Sequence, residues 1–232
     1  MGQTTAPPNI PWAAIPLFQN LQPQERDRLR SLTIIRAFEP GEAIFREGDP
    51  AGQFHFLLGG RVKIVKGAPD GREIILEILG PGDPVGAVAV FEGRPFPATA
   101  VPLEATSVLS LPAREFFALT EANPRLVRGL LLGLTRRLME LTRRLTDRSA
   151  RAEIRVAHLL LTLCERMGRP EGAGVRLPLV LSRQEIADLV GITQETAIRI
   201  MSRWGKEGLV VTGPDGFLIP DCDLLRRRVS EG

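Results

Sequence analysis

The chain is short of metal-binding and redox-active side chains: two cysteines and two histidines among 232 residues. Cys164 and Cys222 lie far apart and form no CxxC pair. One chain therefore cannot build a four-cysteine iron–sulfur site or a zinc knuckle, and no metal site is assigned. A disulfide scaffold is not expected, and the cytoplasm is the compartment that fits. No run of about 18 apolar residues occurs, so neither a transmembrane helix nor a membrane partner is expected. Met1 to Ile10 lacks a basic n-region and an apolar h-region and does not read as a secretory signal. Pro7, Pro8 and Pro11 make residues 1–14 a flexible arm by expectation. An excess of one charge is missing too. Lys and Arg number 30 against 27 Asp and Glu, a net +3. Residues 151–232 are nearly balanced, with 12 Lys and Arg against 11 Asp and Glu. Any surface for a polyanion must come from the placement of charge, not its sum. No nucleophile–base pair or phosphate-binding glycine loop is readable, so no catalytic residue is assigned and the chain is not read as an enzyme.

What is present falls into three regions. From Leu32 to Leu111 the chain reads as short strands. Apolar stretches at Phe54–Leu58, Val62–Val65 and Ile74–Leu79 are punctuated by Pro40-Gly41, Gly48-Asp49, Gly59-Gly60, Asp70-Gly71 and Pro81-Gly82-Asp83. Strands at roughly 8–12 residue spacing with such turns predict an all-β sandwich or barrel, and Asp70-Gly71 predicts a hairpin. From Pro124 to about Arg166 the period becomes helical. Val127, Leu131, Leu134, Leu138, Leu141 and Leu145 step by 4, 3, 4, 3, 4, a heptad seam, with Arg136, Arg137, Arg143, Arg144 and Arg148 between them. A strict two-in-seven stripe suits a partner helix better than a broad face packed on the chain's own domain, so a homodimer is expected. Gly168, Pro170, Gly172 and Gly174 then read as a loop.

The third region carries the motif LSRQEIADLVGITQETAIRIMSRWGKEGL at Leu181–Leu209. Ser182 with Glu185 is a capping box that starts a helix. Gly191 ends it, Thr193 can cap a second helix, and Gly208 stops that one. Apolar Ile186, Val190, Ile192, Ala197 and Ile200, with small Ala187 at the crossing, complete a helix-turn-helix. The outer face of the second helix holds Gln194, Glu195, Arg199, Ser202 and Arg203. In a major groove, Gln can pair with adenine, Glu accept from cytosine N4 and Arg donate twice to guanine, so Gln194, Glu195 and Arg199 are assigned to bases. Glu195 and Arg199, four apart, are expected to hold each other. Ser182, Arg183, Thr193, Thr196 and Arg203 are assigned to phosphates, which position without specifying. Leu209–Thr212, the turn Gly213-Pro214-Asp215-Gly216 and Phe217–Ile219 predict a β-hairpin wing; without it, an ordinary helical hairpin would be the competing reading.

From about Ile15 onward the chain resembles the catabolite activator/FNR family of transcription regulators. The matching residues are Pro40-Gly41-Glu42, Gly59-Gly60-Arg61-Val62, Pro81-Gly82-Asp83 with Gly86, Asn123-Pro124, Arg155-Val156-Ala157, then Gly191, Glu195-Thr196, Arg199 and Glu207-Gly208-Leu209. The resemblance implies an α+β chain: a β-roll of the cyclic-nucleotide-binding kind at 15–120, a dimerisation helix at 121–150, and a winged helix-turn-helix at 151–232. It also implies a homodimer, double-stranded DNA with an inverted-repeat operator, and contact with RNA polymerase. The rival expectation is a ligand-sensing module that acts through a protein partner.

The resemblance departs at the effector. Members that bind cyclic AMP carry Gly-Glu-Leu at the start of a phosphate-binding cassette and Arg-Ser at its end. The Glu holds the ribose hydroxyl and the Arg the cyclic phosphate. Here those places read Gly86-Ala87-Val88 and Pro97-Ala98-Thr99, and the family's Thr-Ser pair on the long helix reads Leu141-Thr142. A buried phosphate without a cationic partner is costly, so cyclic AMP is not expected. Arg94, three residues before Pro97, is the one nearby substitute; otherwise the pocket takes a less charged ligand, or none. An iron–sulfur oxygen sensor is excluded because no cysteine precedes Cys164. Haem is not expected either, since His55 and His158 are lone histidines in a strand and beyond the dimer helix. Cys164, among Leu160, Leu161 and Leu163, is expected to be buried and inert, and the effector stays unidentified.

Overall fold

Glycines and alternating apolar residues set the first half of the chain, and a 3.6-residue period sets most of the second. The computed structural model describes residues 10–12, 15–19, 21–67, 73–146 and 152–230, without the side chains of 136, 137, 140–146 and 228–230. It divides into two units, Met1–Arg136 and Arg137–Gly232.

In the first unit, strands β1 (Ile34–Phe38), β2 (Gln53–Gly59), β5 (Pro84–Val85) and β7 (Thr106–Pro112) form one antiparallel sheet in the order β1-β7-β2-β5. Strands β3 (Val62–Gly67), β4 (Glu73–Leu79) and β6 (Thr99–Pro102) form another, ordered β4-β3-β6. The predicted strands at Phe54–Leu58, Val62–Val65 and Ile74–Leu79 fall within β2, β3 and β4. The Asp70-Gly71 turn lies outside the described residues, but the strands it joins pair antiparallel, Val62 opposite Leu79 and Gly67 opposite Glu73. Phe54, Phe56, Leu57, Leu109, Leu111 and Phe116 are almost wholly buried. They make one core with Phe18 and Leu29.

Three helices of this unit have no counterpart in the sequence reading: α1 (Pro23–Leu32), α2 (Ala87–Glu92) and α3 (Ala113–Ala122). Helix α1 shows few apolar residues and buries only Leu29. Helix α2 is six residues long, too short for a period to emerge. Ile10 and Trp12, inside the stretch expected to be a loose arm, are 3% and 5% exposed and belong to the core. Burying these large apolar side chains outweighs the prolines around them.

Helix α4 (Pro124–Thr146) opens on an Asn123 side chain that accepts from the backbone N–H of Arg125 and Leu126. Its apolar residues serve two faces. Leu126 is buried in the β-roll core and Leu130 packs against it. The heptad residues Val127, Leu131, Leu134 and Leu138 stay 38%, 59%, 56% and 65% exposed. Leu141 and Leu145 belong to the same helix, but their side chains are outside the described set.

In the second unit, α5 (Ala152–Met167) buries Ile154, Val156, Ala157, Leu160, Leu161, Leu163 and Cys164. The stretch expected to be a loop is instead a hairpin, β8 (Arg169–Glu171) with β9 (Gly174–Leu177). Strands of three and four residues around glycines leave no alternating pattern to read. They join a sheet in the order β10-β11-β9-β8, where β10 is Val211–Gly213 and β11 is Gly216–Ile219. Helices α6 (Arg183–Val190), α7 (Gln194–Lys206) and α8 (Cys222–Ser230) complete the unit.

Candidate nucleic-acid interface and the β-roll pocket positions

Helix α6 starts where the capping box places it. Ser182 Oγ accepts from the Glu185 N–H at 3.1 Å, and Glu185 Oε2 accepts from the Ser182 N–H at 2.9 Å. Gly191 ends the helix at φ +66°, a left-handed conformation that glycine adopts without cost. Thr193 then caps α7, its hydroxyl accepting from the Thr196 N–H at 3.3 Å. Ile186, Ala187, Ala197, Ile200, Met201 and Trp204 are each no more than 3% exposed and lock the two helices together. One support was missed in the sequence: Arg155 of α5 donates from Nη1 to the carbonyls of Val190 and Gly191, at 2.9 and 3.1 Å, and so fastens the turn. The motif Arg155-Val156-Ala157 marked the residue, but nothing local to it pointed to a partner 35 residues away.

The opposite side of α7 is open. Gln194, Glu195, Arg199, Ser202 and Arg203 are all exposed. Glu195 and Arg199 form no ion pair among the described residues, contrary to the expected mutual hold. An exposed pair four residues apart gains too little to offset the ordering of two long side chains. Both groups are thus free to meet an external partner.

The residues assigned to phosphates are arranged differently. Ser182 and Thr193 are used as caps, and the Thr196 hydroxyl lies 3.0 Å from that of Thr193. Arg183 turns onto the wing, donating from Nη2 to Thr212 Oγ1 at 3.0 Å, with its guanidinium 6.0 Å from the Phe217 ring centroid. Arg203 pairs with Glu153 of α5 and, at 3.8 Å, with Glu207. The wing itself forms as the turn residues predict: Val211 faces Leu218, Thr212 faces Phe217 and Gly213 faces Gly216.

Residues 154–228 match the Crp-like helix-turn-helix domain, and residues 35–123 match the cyclic nucleotide-binding domain. Over 213 residues the chain is 31% identical to the CRP-like cAMP-activated global transcriptional regulator of Mycobacterium tuberculosis, covering 91% of this chain and 95% of that protein. The chain belongs to the CRP/FNR family of transcription regulators. A second member, the cyclic AMP receptor protein of Thermus thermophilus, is 32% identical over 212 residues, 90% of this chain and 94% of that one. The fold of this CRP/FNR chain is also that of FixK2 from Bradyrhizobium japonicum, with a TM-score of 0.71 at 22% identity, covering 84% of this chain and 96% of that one. The family regulates transcription and does not comprise enzymes.

The β-roll positions that the family resemblance assigns to an effector carry few polar side chains. Gly86 caps α2 in a left-handed conformation at φ +70°, with no side-chain cap. A Cβ added there would come within 2.5 Å of Phe96 and 2.7 Å of Phe45, whose rings stack with centroids 3.6 Å apart. Ala87 is half-buried, Val88 is 64% exposed, and Pro97 is exposed beside buried Ala98. None of these can accept from a ribose hydroxyl or donate to a phosphate through its side chain. The Thr99 hydroxyl accepts from the Glu47 N–H at 3.0 Å and keeps its own O–H as a donor. Arg94 is exposed. The side chains of Leu141 and Thr142 lie outside the described residues.

Of the two histidines, His55 sits on β2 with Nδ1 2.9 Å from the Ser110 hydroxyl. Its ring stacks on Phe45 at 5.7 Å. Burial, with the positive charge of Arg36 second, pushes its pKa down from 6.5 to about 4, so it is neutral near pH 7. His158 is half-buried on α5. Burial pushes the Cys164 thiol up to about 12, with Cys222 and Glu165 adding to the shift, which keeps it protonated and unreactive at neutral pH. No helix among the described residues is long and apolar enough to cross a membrane.

Proposed function

We propose that this chain is a homodimeric, sequence-specific DNA-binding transcription regulator that reads an inverted-repeat operator through α7. The observation that carries this is the exposed Glu195 and Arg199, without an ion pair among the described residues, on a helix capped at Thr193 and clamped by four buried residues. Rigid presentation of a few polar groups is what base readout in a major groove requires. Gln194, Glu195 and Arg199 are the base contacts in this reading. Ser182, Arg183, Thr193, Thr196 and Arg203 line the approach of phosphates, with Arg183 and Arg203 first leaving their internal partners.

The dimer forms through Val127, Leu131, Leu134, Leu138, Leu141 and Leu145 of α4. The support is the four exposed side chains of the seam on a helix whose other face already serves the core. Two recognition helices on one DNA face give half-site centres about 34–36 Å apart. The protein works in the cytoplasm, and RNA polymerase is its partner at the promoter. Its effector is not cyclic AMP: the positions Gly86–Val88 and Pro97–Thr99 offer no charge for the nucleotide. The β-roll either takes a less charged ligand or leaves the regulator constitutively competent. Selection from random duplex DNA with the full chain tests the reading. An enriched palindromic site is the expected result, and a pool that never enriches, or a single asymmetric site, would defeat it.

A further inference from the structure

The outer face of α7 holds one residue that neither the fold nor the polar readout above explains. Ile198 is 44% exposed. It stands among Gln194, Glu195, Arg199, Ser202, Arg203, Gly205 and Lys206, which are exposed too, and it is the only large apolar side chain in that set. Its neighbours Ala197, Ile200, Met201 and Trp204 point into the core at 0%, 3%, 2% and 0% exposure. Helical spacing puts Ile198 one turn beyond Gln194 and one turn before Ser202, along the flank of the Glu195–Arg199 face. On an exposed helix surface isoleucine is a weaker helix former than alanine, leucine, lysine or glutamate, so local stability does not favour it. It is also stiff about χ1, so its methyl groups lose little freedom on meeting a surface.

We propose that Ile198 reads the C5-methyl group of a thymine in each half-site. This rests on the DNA-binding reading above and adds a determinant to it. Thymine alone presents an apolar group in the major groove, and small apolar side chains are its complement there. A protein partner covering this face would have to desolvate Glu195 and Arg199 as well, whereas base edges supply their hydrogen bonds. The half-site should therefore hold a T·A pair next to the G·C pair assigned to Arg199.

The test uses the operator recovered by random-sequence selection and the full-length chain. Each half-site thymine is replaced in turn by deoxyuridine, which removes one methyl group and leaves base pairing intact. Losing one buried methyl contact predicts about fourfold weaker binding per half-site at a single thymine. Ile198→Ala should bind the thymine and deoxyuridine operators equally, and since Ile198 is exposed, this variant keeps the fold. A wild-type protein indifferent to every deoxyuridine, or an Ile198→Ala protein that still senses the same methyl, overturns the inference while leaving DNA binding intact. Failure to recover any operator overturns both.

Discussion

The β-roll and the winged helix-turn-helix have the same family frame and differ in what hangs on it. Around Gly86 the backbone turn is kept, yet its flanks carry Ala87, Val88, Pro97 and Ala98. On α7 the caps are kept and the outer face still carries Gln194, Glu195 and Arg199. In the first case the frame is held by a core that includes Phe54, Phe56 and Leu109, with Ala87 packed in part against it. A fold does not by itself fix the chemistry of a site, which depends on the particular side chains placed on it. On α7 the exposed polar face is what supports the DNA-binding reading proposed above.

The comparison breaks first at the helix leading from one region to the other. Leu138→Asp places two carboxylates across the heptad seam, a cost of several kcal/mol without a partner. The expected outcome is a monomer by sedimentation and loss of most specific DNA affinity. A variant that still sediments as a dimer would move the interface off α4.

His55 probes the β-roll alone. Its folded pKa of about 4 lies below the ordinary 6.5, so the unfolded chain binds the extra proton first. The stabilisation is complete above pH 6.5 and is lost as pH falls through the window from 6.5 to 4. It amounts to up to about 3 kcal/mol. Denaturant melts across that window should show the decline in the wild type and a flatter profile in His55→Gln.

Arg199→Ala should cost roughly 1–3 kcal/mol per half-site and relax the preference at one G·C pair. Equal affinity and selectivity in a competition binding assay would remove Arg199 from the recognition face. The smallest effect is expected at the pocket positions. Micromolar cyclic AMP should give no heat in calorimetric titration and no change in DNA affinity. If it does bind, and Arg94→Ala abolishes the binding, a relocated arginine serves the phosphate and the two regions are alike after all.

Much of this was legible in sequence because the signals were local. Ser182 with Glu185, Gly191 and Thr193 each specify a cap within three residues of themselves, and the structure places α6 and α7 where those caps predict. The heptad at Val127–Leu138 is equally local. What was hidden depends on distant partners. Arg155 reaches Val190 and Gly191 across 35 and 36 residues. Trp12 is drawn from its proline-rich surroundings onto Phe18, 5.9 Å away edge to face. The β8–β9 hairpin exists because β9 pairs with β11, Phe217 opposite Leu177, some 40 residues on. Ile198 was hidden for another reason: an apolar residue in an amphipathic helix reads as core until its exposure is known.

The pairing of Arg203 with Glu153 and Glu207 bears on how DNA binding responds to salt. A free surface arginine that docks on a phosphate displaces a condensed cation from the duplex, and affinity then falls as salt rises. Arg203 carries its own anions, fixed to the protein. Swapping Glu153 for a phosphate leaves a carboxylate uncovered at the rim of the complex, where it would recruit a cation from solution. Ion release and ion uptake would then partly cancel at that point. The regulator would hold its operator with less sensitivity to ionic strength than the number of cations on its DNA-facing side suggests.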